Sequence, residues 1–111
     1  MTTLCIRLEA RSAAHRCFRA YEIEVGADLF GAWLVEMNYG RIGITGRSKI
    51  RSFATIEDAQ AQVHACLRKR ATAPRRIGVA YHVQRIVQFK AWCQPDLEHR
   101  LGASFQVKGN A

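Results

Sequence analysis

Apolar side chains recur at every second position in a succession of short blocks, and one stretch alone switches to helical spacing. Leu4, Ile6 and Leu8 alternate within residues 4–9. Tyr21, Ile23 and Val25 alternate with Glu22 and Glu24 within 17–25. Trp33, Val35, Met37 and Tyr39 share one parity within 32–39. This period of two is that of strands with one face buried. Residues 41–44 continue it, with Ile42 and Ile44 on one side, and 47–53 places Arg47, Lys49 and Arg51 on a single face. Val79, Tyr81, Val83, Val87 and Phe89 repeat the parity and predict a late strand over 79–89. Asp28-Leu29-Phe30-Gly31, Thr45-Gly46 and the polar stretch 11–16 punctuate the blocks as turns.

Between the strands, Ile56, Ala59, Val63, Cys66 and Leu67 recur at three- and four-residue spacing, which predicts a helix over 55–70. Thr55 is the N-cap candidate, with Asp58 three positions on, and Glu57 and Asp58 suit the positive end of the helix dipole. Arg68, Lys69 and Arg70 crowd the last turn, and Pro74 opposes continuation. The pattern predicts an α+β domain, an antiparallel sheet with one main helix packed on one face. A chain of 111 residues is sized for one such domain.

Charge is unevenly placed. The formal net charge is +8. Residues 1–36 hold four basic and five acidic groups, whereas residues 37–95 hold eleven basic and two acidic. The whole excess therefore falls in the middle of the chain. Such an excess calls for a polyanionic partner: nucleic acid, an acidic membrane surface or an acidic protein. The basic residues are not interleaved with exposed aromatic and Leu positions on an amphipathic helix, which disfavours the membrane. No apolar run approaches bilayer length, and the N-terminus lacks the apolar core of a secretory signal, so a cytoplasmic protein is expected.

The inventory for catalysis is poor. His15, His64, His82 and His99 fall in no HxxxH or HExxH pattern, and Cys5, Cys17, Cys66 and Cys93 form no CxxC pair. No metal or cofactor is expected, and the cysteines are expected to be thiols, with Cys66 packing into the core. Glu57 and Asp58 serve the helix start better than a general-acid pair. Gly40-Arg41-Ile42-Gly43-Ile44-Thr45-Gly46 is rich in glycine but lacks the GxxxxGK[ST] order of a phosphate loop. A non-enzymatic protein is the expectation.

One run of residues carries a family resemblance. DLFG precedes a Trp-containing strand, NYGRIG follows, then a glycine turn, a basic strand ending in Phe53, and a helix opening T-x-E-x-A. A basic helix end and the segment Gly78 to Tyr81 close the pattern. In this order the features resemble the WGR domain, named for its Trp-Gly-Arg triplet, across roughly residues 17–83. The resemblance implies an antiparallel sheet flanked by a helix. It divides the chain into an N-terminal strand and turn (1–16), a core (17–89) and a C-terminal extension (90–111). Such domains occur in DNA-dependent poly(ADP-ribose) polymerases, where they contact DNA near a strand break, and as short stand-alone bacterial proteins. The family tryptophan packs against the terminal nucleotide, and the family arginine contributes to DNA contact and to coupling with neighbouring domains. Tyr39 stands in the tryptophan position here, and Arg41 matches the arginine.

The expected function is nucleic-acid binding, of DNA in the first place with RNA left open. Arg47, Lys49 and Arg51 would meet phosphates from one strand face, and Arg68, Lys69, Arg70, Arg75 and Arg76 would extend the patch beyond the helix. Tyr39 would stack on an exposed nucleotide and favour ends or breaks. Strict alternation, however, puts Tyr39 on the face of Trp33, Val35 and Met37, a core face from which only a bend at Gly40 would free it. The rival reading is a protein–protein interaction module that docks an acidic partner or domain.

Overall fold

The computed structural model describes residues 2–92 together with 97, 101 and 105–107. Cys93, His99 and most of the 90–111 extension lie outside the described residues. Six strands form one sheet: β1 (Thr2–Ser12), β2 (Cys17–Ala27), β3 (Trp33–Arg41), β4 (Arg47–Phe53), β5 (His82–Gln88) and β6 (Gln106–Val107). Their order is β4-β3-β2-β1-β5-β6. The first five pair antiparallel, and the two-residue β6 pairs parallel to β5. Helix α1 (Ile56–Ala71) and the short α2 (Ala73–Ile77) connect β4 to β5. The α+β architecture expected from the pattern holds.

The alternation sorts the sheet into two unlike faces. Leu4, Ile6, Leu8 and Ala10 of β1, with Tyr21, Ile23 and Val25 of β2 and Val35 and Met37 of β3, are buried on the face that carries α1. Ala59, Val63 and Leu67 of the helix close over them. Trp92, Leu97, Leu101 and Phe105 complete the core. Burying side chains of this kind is worth about 1.5–3 kcal/mol each, so this face holds the fold together. On the back face the core gives way to ion pairs. Arg7 donates to Glu9 at 3.0 Å and to Glu22 at 3.2 Å, and Arg11 donates to Glu9 at 3.0 Å.

Local chemistry sets the element ends. Thr55 Oγ1 accepts from the Asp58 N–H at 3.2 Å, which is the expected cap. Pro74 does not simply stop the helix: it occupies the first turn of α2, where its missing N–H leaves no bond unmade. Gly78 then ends α2 in the left-handed conformation at φ 76°. In the β2–β3 turn, Asp28 Oδ1 accepts from the N–H groups of Phe30 at 2.8 Å and Ala32 at 2.9 Å. The five-residue connection 28–32, which holds DLFG, is thus an Asx-type turn.

Two strand expectations need correction. Residues 41–44 are not a strand beyond Arg41. Ile44 N–H donates to the Arg41 carbonyl at 3.2 Å, and Gly43 at φ 83° turns the chain, so Ile42 and Ile44 belong to the hairpin loop. The late strand also breaks parity. Arg7 pairs with Arg85 but Leu8 pairs with Val83, so Gln84 is an extra residue on β5. This bulge moves Ile86 to the core face and leaves Val87 and Phe89 exposed, contrary to their predicted alignment with Val83.

Candidate nucleic-acid interface

Strand register builds the site. Tyr21, Tyr39 and Arg47 lie opposite one another across β2, β3 and β4, and Arg19 lies opposite Arg41 one step beyond. Paired residues share a face, so all five rise on the side that carries α1. The helix ends at Ala71 and covers this face only as far as Tyr21, which is 3% exposed. Past that point the face is open. Tyr39 is 38% exposed, with its ring 6.4 Å from that of Tyr21 at an interplanar angle of 25°. No bend at Gly40 frees it: β3 runs in register through Gly40 to Arg41. It is the helix that stops short.

The open end is a cleft of about 620 Å³. Arg16 and Arg19 line it from the β1–β2 turn and β2, Arg41 from β3, and Lys69, Arg70 and Arg76 from the end of α1 and from α2. Tyr39, Tyr81 and Phe18 supply apolar surface. The lining contains no carboxylate among the described residues. Among the described residues, the salt bridges all lie on the back face, between Arg7, Arg11 or Arg85 and Glu9 or Glu22. The cleft cations therefore have no acidic group among the described residues within salt-bridge distance to neutralise them.

Two of these cations are held in place without a carboxylate partner among the described residues. The Arg70 guanidinium carbon sits 3.9 Å from the centroid of the Tyr21 ring, a cation–π contact. Arg76 donates through Nη2 to the Lys69 carbonyl at 2.8 Å and through Nε to Thr72 Oγ1 at 3.1 Å, capping the end of α1. Tyr21 itself is kept as a neutral phenol. Burial pushes its pKa up first, and the neighbouring Cys66 adds to the rise. His15, exposed on the β1–β2 turn, also lines the cleft, its ring nitrogen Nδ1 3.0 Å from Ser12 Oγ. A Cβ at Gly78 would stand 3.4 Å from the His15 ring.

The hairpin that carries Tyr39 and Arg41 is tight because two glycines cross. A Cβ at Gly40 would approach the Gly46 Cα to 2.8 Å, and a Cβ at Gly46 would overlap the Tyr39 carbonyl. On the back side of the same corner a smaller depression of about 220 Å³ is lined by Arg7, Glu22 and Asn38. Arg41 lines it as well, so this arginine borders both hollows, but among the described residues only the back one holds a carboxylate, that of Glu22.

The residues singled out from the sequence divide into three groups. Tyr39, Arg41, Lys69, Arg70 and Arg76 meet in the cleft. Arg47, Lys49 and Arg51 share its face along β4 but continue away from it, opposite Tyr39, Met37 and Val35. Arg68 and Arg75 are exposed outside the cleft. Arg68 follows Gln60 and His64 at four-residue spacing, on the helix flank where Gln60 donates to the Trp92 carbonyl at 2.7 Å. The sequence reading missed His15, Arg16 and Arg19, because their segment carries a net negative charge. Its acids Glu22 and Glu24 point to the back face, and parity with Tyr21 was the signal for Arg19. Cys5, Cys17 and Cys66 are free thiols, and Cys66 packs against the core with Sγ 3.5 Å from Met37 Sδ.

Among the described residues no group of three or more His, Cys, Asp or Glu could hold a metal ion, and no helix is long and apolar enough to cross a membrane. A family model described as WGR domain matches residues 5–73. No curated protein and no solved structure matches the chain.

Proposed function

Because the chain belongs to the WGR domain family, whose members are in general nucleic-acid-binding modules without catalysis of their own, we propose that it binds DNA non-enzymatically through the cationic cleft beside Tyr39 and Arg41. The observation that carries this reading is the composition of the cleft: Arg16, Arg19, Arg41, Lys69, Arg70 and Arg76 converge with no carboxylate among them. Guanidinium groups take phosphate oxygens in forked pairs, and releasing the counterions held by DNA supplies the affinity.

Tyr39 gives the cleft a preference for ends or breaks. Its ring is backed by Tyr21 on one side and half open on the other, so a terminal nucleotide can stack on it without the protein reorganising. A phenol offers less area than the family's indole, and the surrounding arginines offset the difference through charge. Among the described residues no helix or ribbon projects for the major groove, so sequence preference is slight.

Fluorescence anisotropy of labelled duplexes tests the reading: blunt 5′-phosphorylated, nicked and covalently closed forms, each titrated across salt. Affinity should fall linearly on a log–log plot, by about 0.9 in slope for each phosphate neutralised. Arg41→Ala should weaken end binding far more than Arg85→Ala, because Arg85 lies on the back face, its Nη2 3.9 Å from Glu22 Oε1. Failure to bind any DNA at low salt would overturn the proposal and leave the acidic protein partner as the occupant of the cleft.

A further inference from the structure

Strand β4 is the outer edge of the sheet, and every residue of it except Phe53 is exposed. Its cations stand opposite Tyr39, Met37 and Val35, so Arg47, Lys49 and Arg51 rise from the same face as the cleft. Two residues of strand advance about 6.8 Å. The three charges therefore form a straight, evenly spaced row that begins beside Tyr39. None of them forms a salt bridge among the described residues.

Helix α1 makes this row a ledge. It stands on the same face, with Gln62 Nε2 donating to Met37 Sδ at 3.6 Å and Arg51 Nη1 donating to Gln62 Oε1 at 3.5 Å. A helix with its side chains is about 10–12 Å across, so α1 walls off the inner side. Outboard of β3 lies only β4, the edge strand. An aromatic ring lies at each end of the row. Tyr39 is at the cleft, and Phe53 is at the far end with the Arg51 guanidinium carbon 6.0 Å from its centroid. Phe53 packs against the core, so Tyr39 is the open ring, and regularly spaced cations leading to it suit an extended strand whose phosphates repeat once per nucleotide and whose terminal base is free to stack. A duplex backbone winds, so it would curve away from this straight row after touching it with one strand.

We infer that the β4 ledge holds a single-stranded segment leading into the cleft, so that the preferred ligand is a duplex end with a short overhang rather than a blunt end. The inference rests on the proposed DNA-binding role of the cleft. The first unpaired nucleotide stacks at Tyr39, and the next phosphates follow Arg47, Lys49 and Arg51 in turn.

The test uses the full chain and a labelled DNA hairpin whose stem ends blunt or in a thymine overhang, 5′ or 3′, lengthened stepwise. Anisotropy should show affinity rising by about tenfold over about four unpaired nucleotides and then levelling, with one polarity favoured. Lys49→Ala should reduce overhang affinity more than blunt-end affinity, erase most of the gain and lower the overhang salt slope by about 0.7. Its thermal unfolding, followed in parallel, should match the parent's because Lys49 is exposed. Blunt ends bound as tightly as overhangs would overturn this inference alone. Equal losses on both substrates in Lys49→Ala would do the same. No binding to either kind of end would overturn the proposed function with it.

Discussion

Replacing Gly46 by alanine tests how the site is held. Gly46 and Gly40 cross where β3 and β4 meet, and an added Cβ at Gly46 would stand 3.1 Å from the Gly40 Cα while overlapping the Tyr39 carbonyl. These obstacles are backbone, so the strands themselves must move apart. Overpacking of this kind costs about 1–3 kcal/mol. A change of 1 kcal/mol moves the Tm of a domain near this size by about 4–8 °C, so Gly46→Ala should melt about 10 °C lower. Gly43 supplies the control. It sits at φ 83° with nothing within 4 Å of an added Cβ, so Gly43→Ala strains only its own backbone. That strain is about 1–2 kcal/mol, and Gly43→Asn should recover part of it because asparagine tolerates the left-handed region. Gly46→Asn should recover nothing. Circular dichroism melts of the four variants, with anisotropy on a DNA end, separate the two causes. Gly46→Ala should also lose end binding, because the displaced backbone carries Tyr39. If asparagine rescued both positions equally, or if Gly46→Ala melted like the parent, the crossing would not be the constraint described.

Other variants probe single contacts. Tyr39→Ala should weaken end binding by about tenfold, the value of one lost stack, while Tyr39→Trp should strengthen it, as read by anisotropy. Leu67→Ala empties a core position under α1 and should cost about 2–5 kcal/mol in a urea melt. Burial alone would raise the Glu9 carboxyl, but the hydrogen bonds from Arg11 and Arg7 outweigh it and hold the group below the usual carboxylate range. Its stabilisation is complete above an unfolded value of roughly 4.3 and is lost as pH falls through the lower folded value. The stability gap between the parent and Glu9→Gln should therefore narrow on going from neutral to acid urea melts.

Much of this fold was legible because its elements answer to local rules. Period-two blocks located β1 to β4, and the Thr55 cap and apolar stripe located α1 within a residue at each end. The misses came from features that a strand's own sequence does not encode. Nothing local marks Gln84 as an extra residue, since the bulge exists only relative to Arg7 and Leu8 of β1. The exposure of Tyr39 depends on where α1 stops above it, a relation between distant segments. The cleft was half visible for a similar reason. Lys69, Arg70 and Arg76 stood out as a basic cluster, whereas Arg16 and Arg19 were averaged away among acids that point through the sheet to the other side.

The most direct test of the account is an amide chemical-shift titration of the labelled protein with a 5′-phosphorylated DNA hairpin. The account predicts that the largest perturbations fall on Arg16, Arg19, Tyr39, Gly40, Arg41, Lys69 and Arg70, with the ion-paired back face around Arg7, Glu22 and Arg85 undisturbed. Shifts centred on that back face, or none at any position, would contradict it.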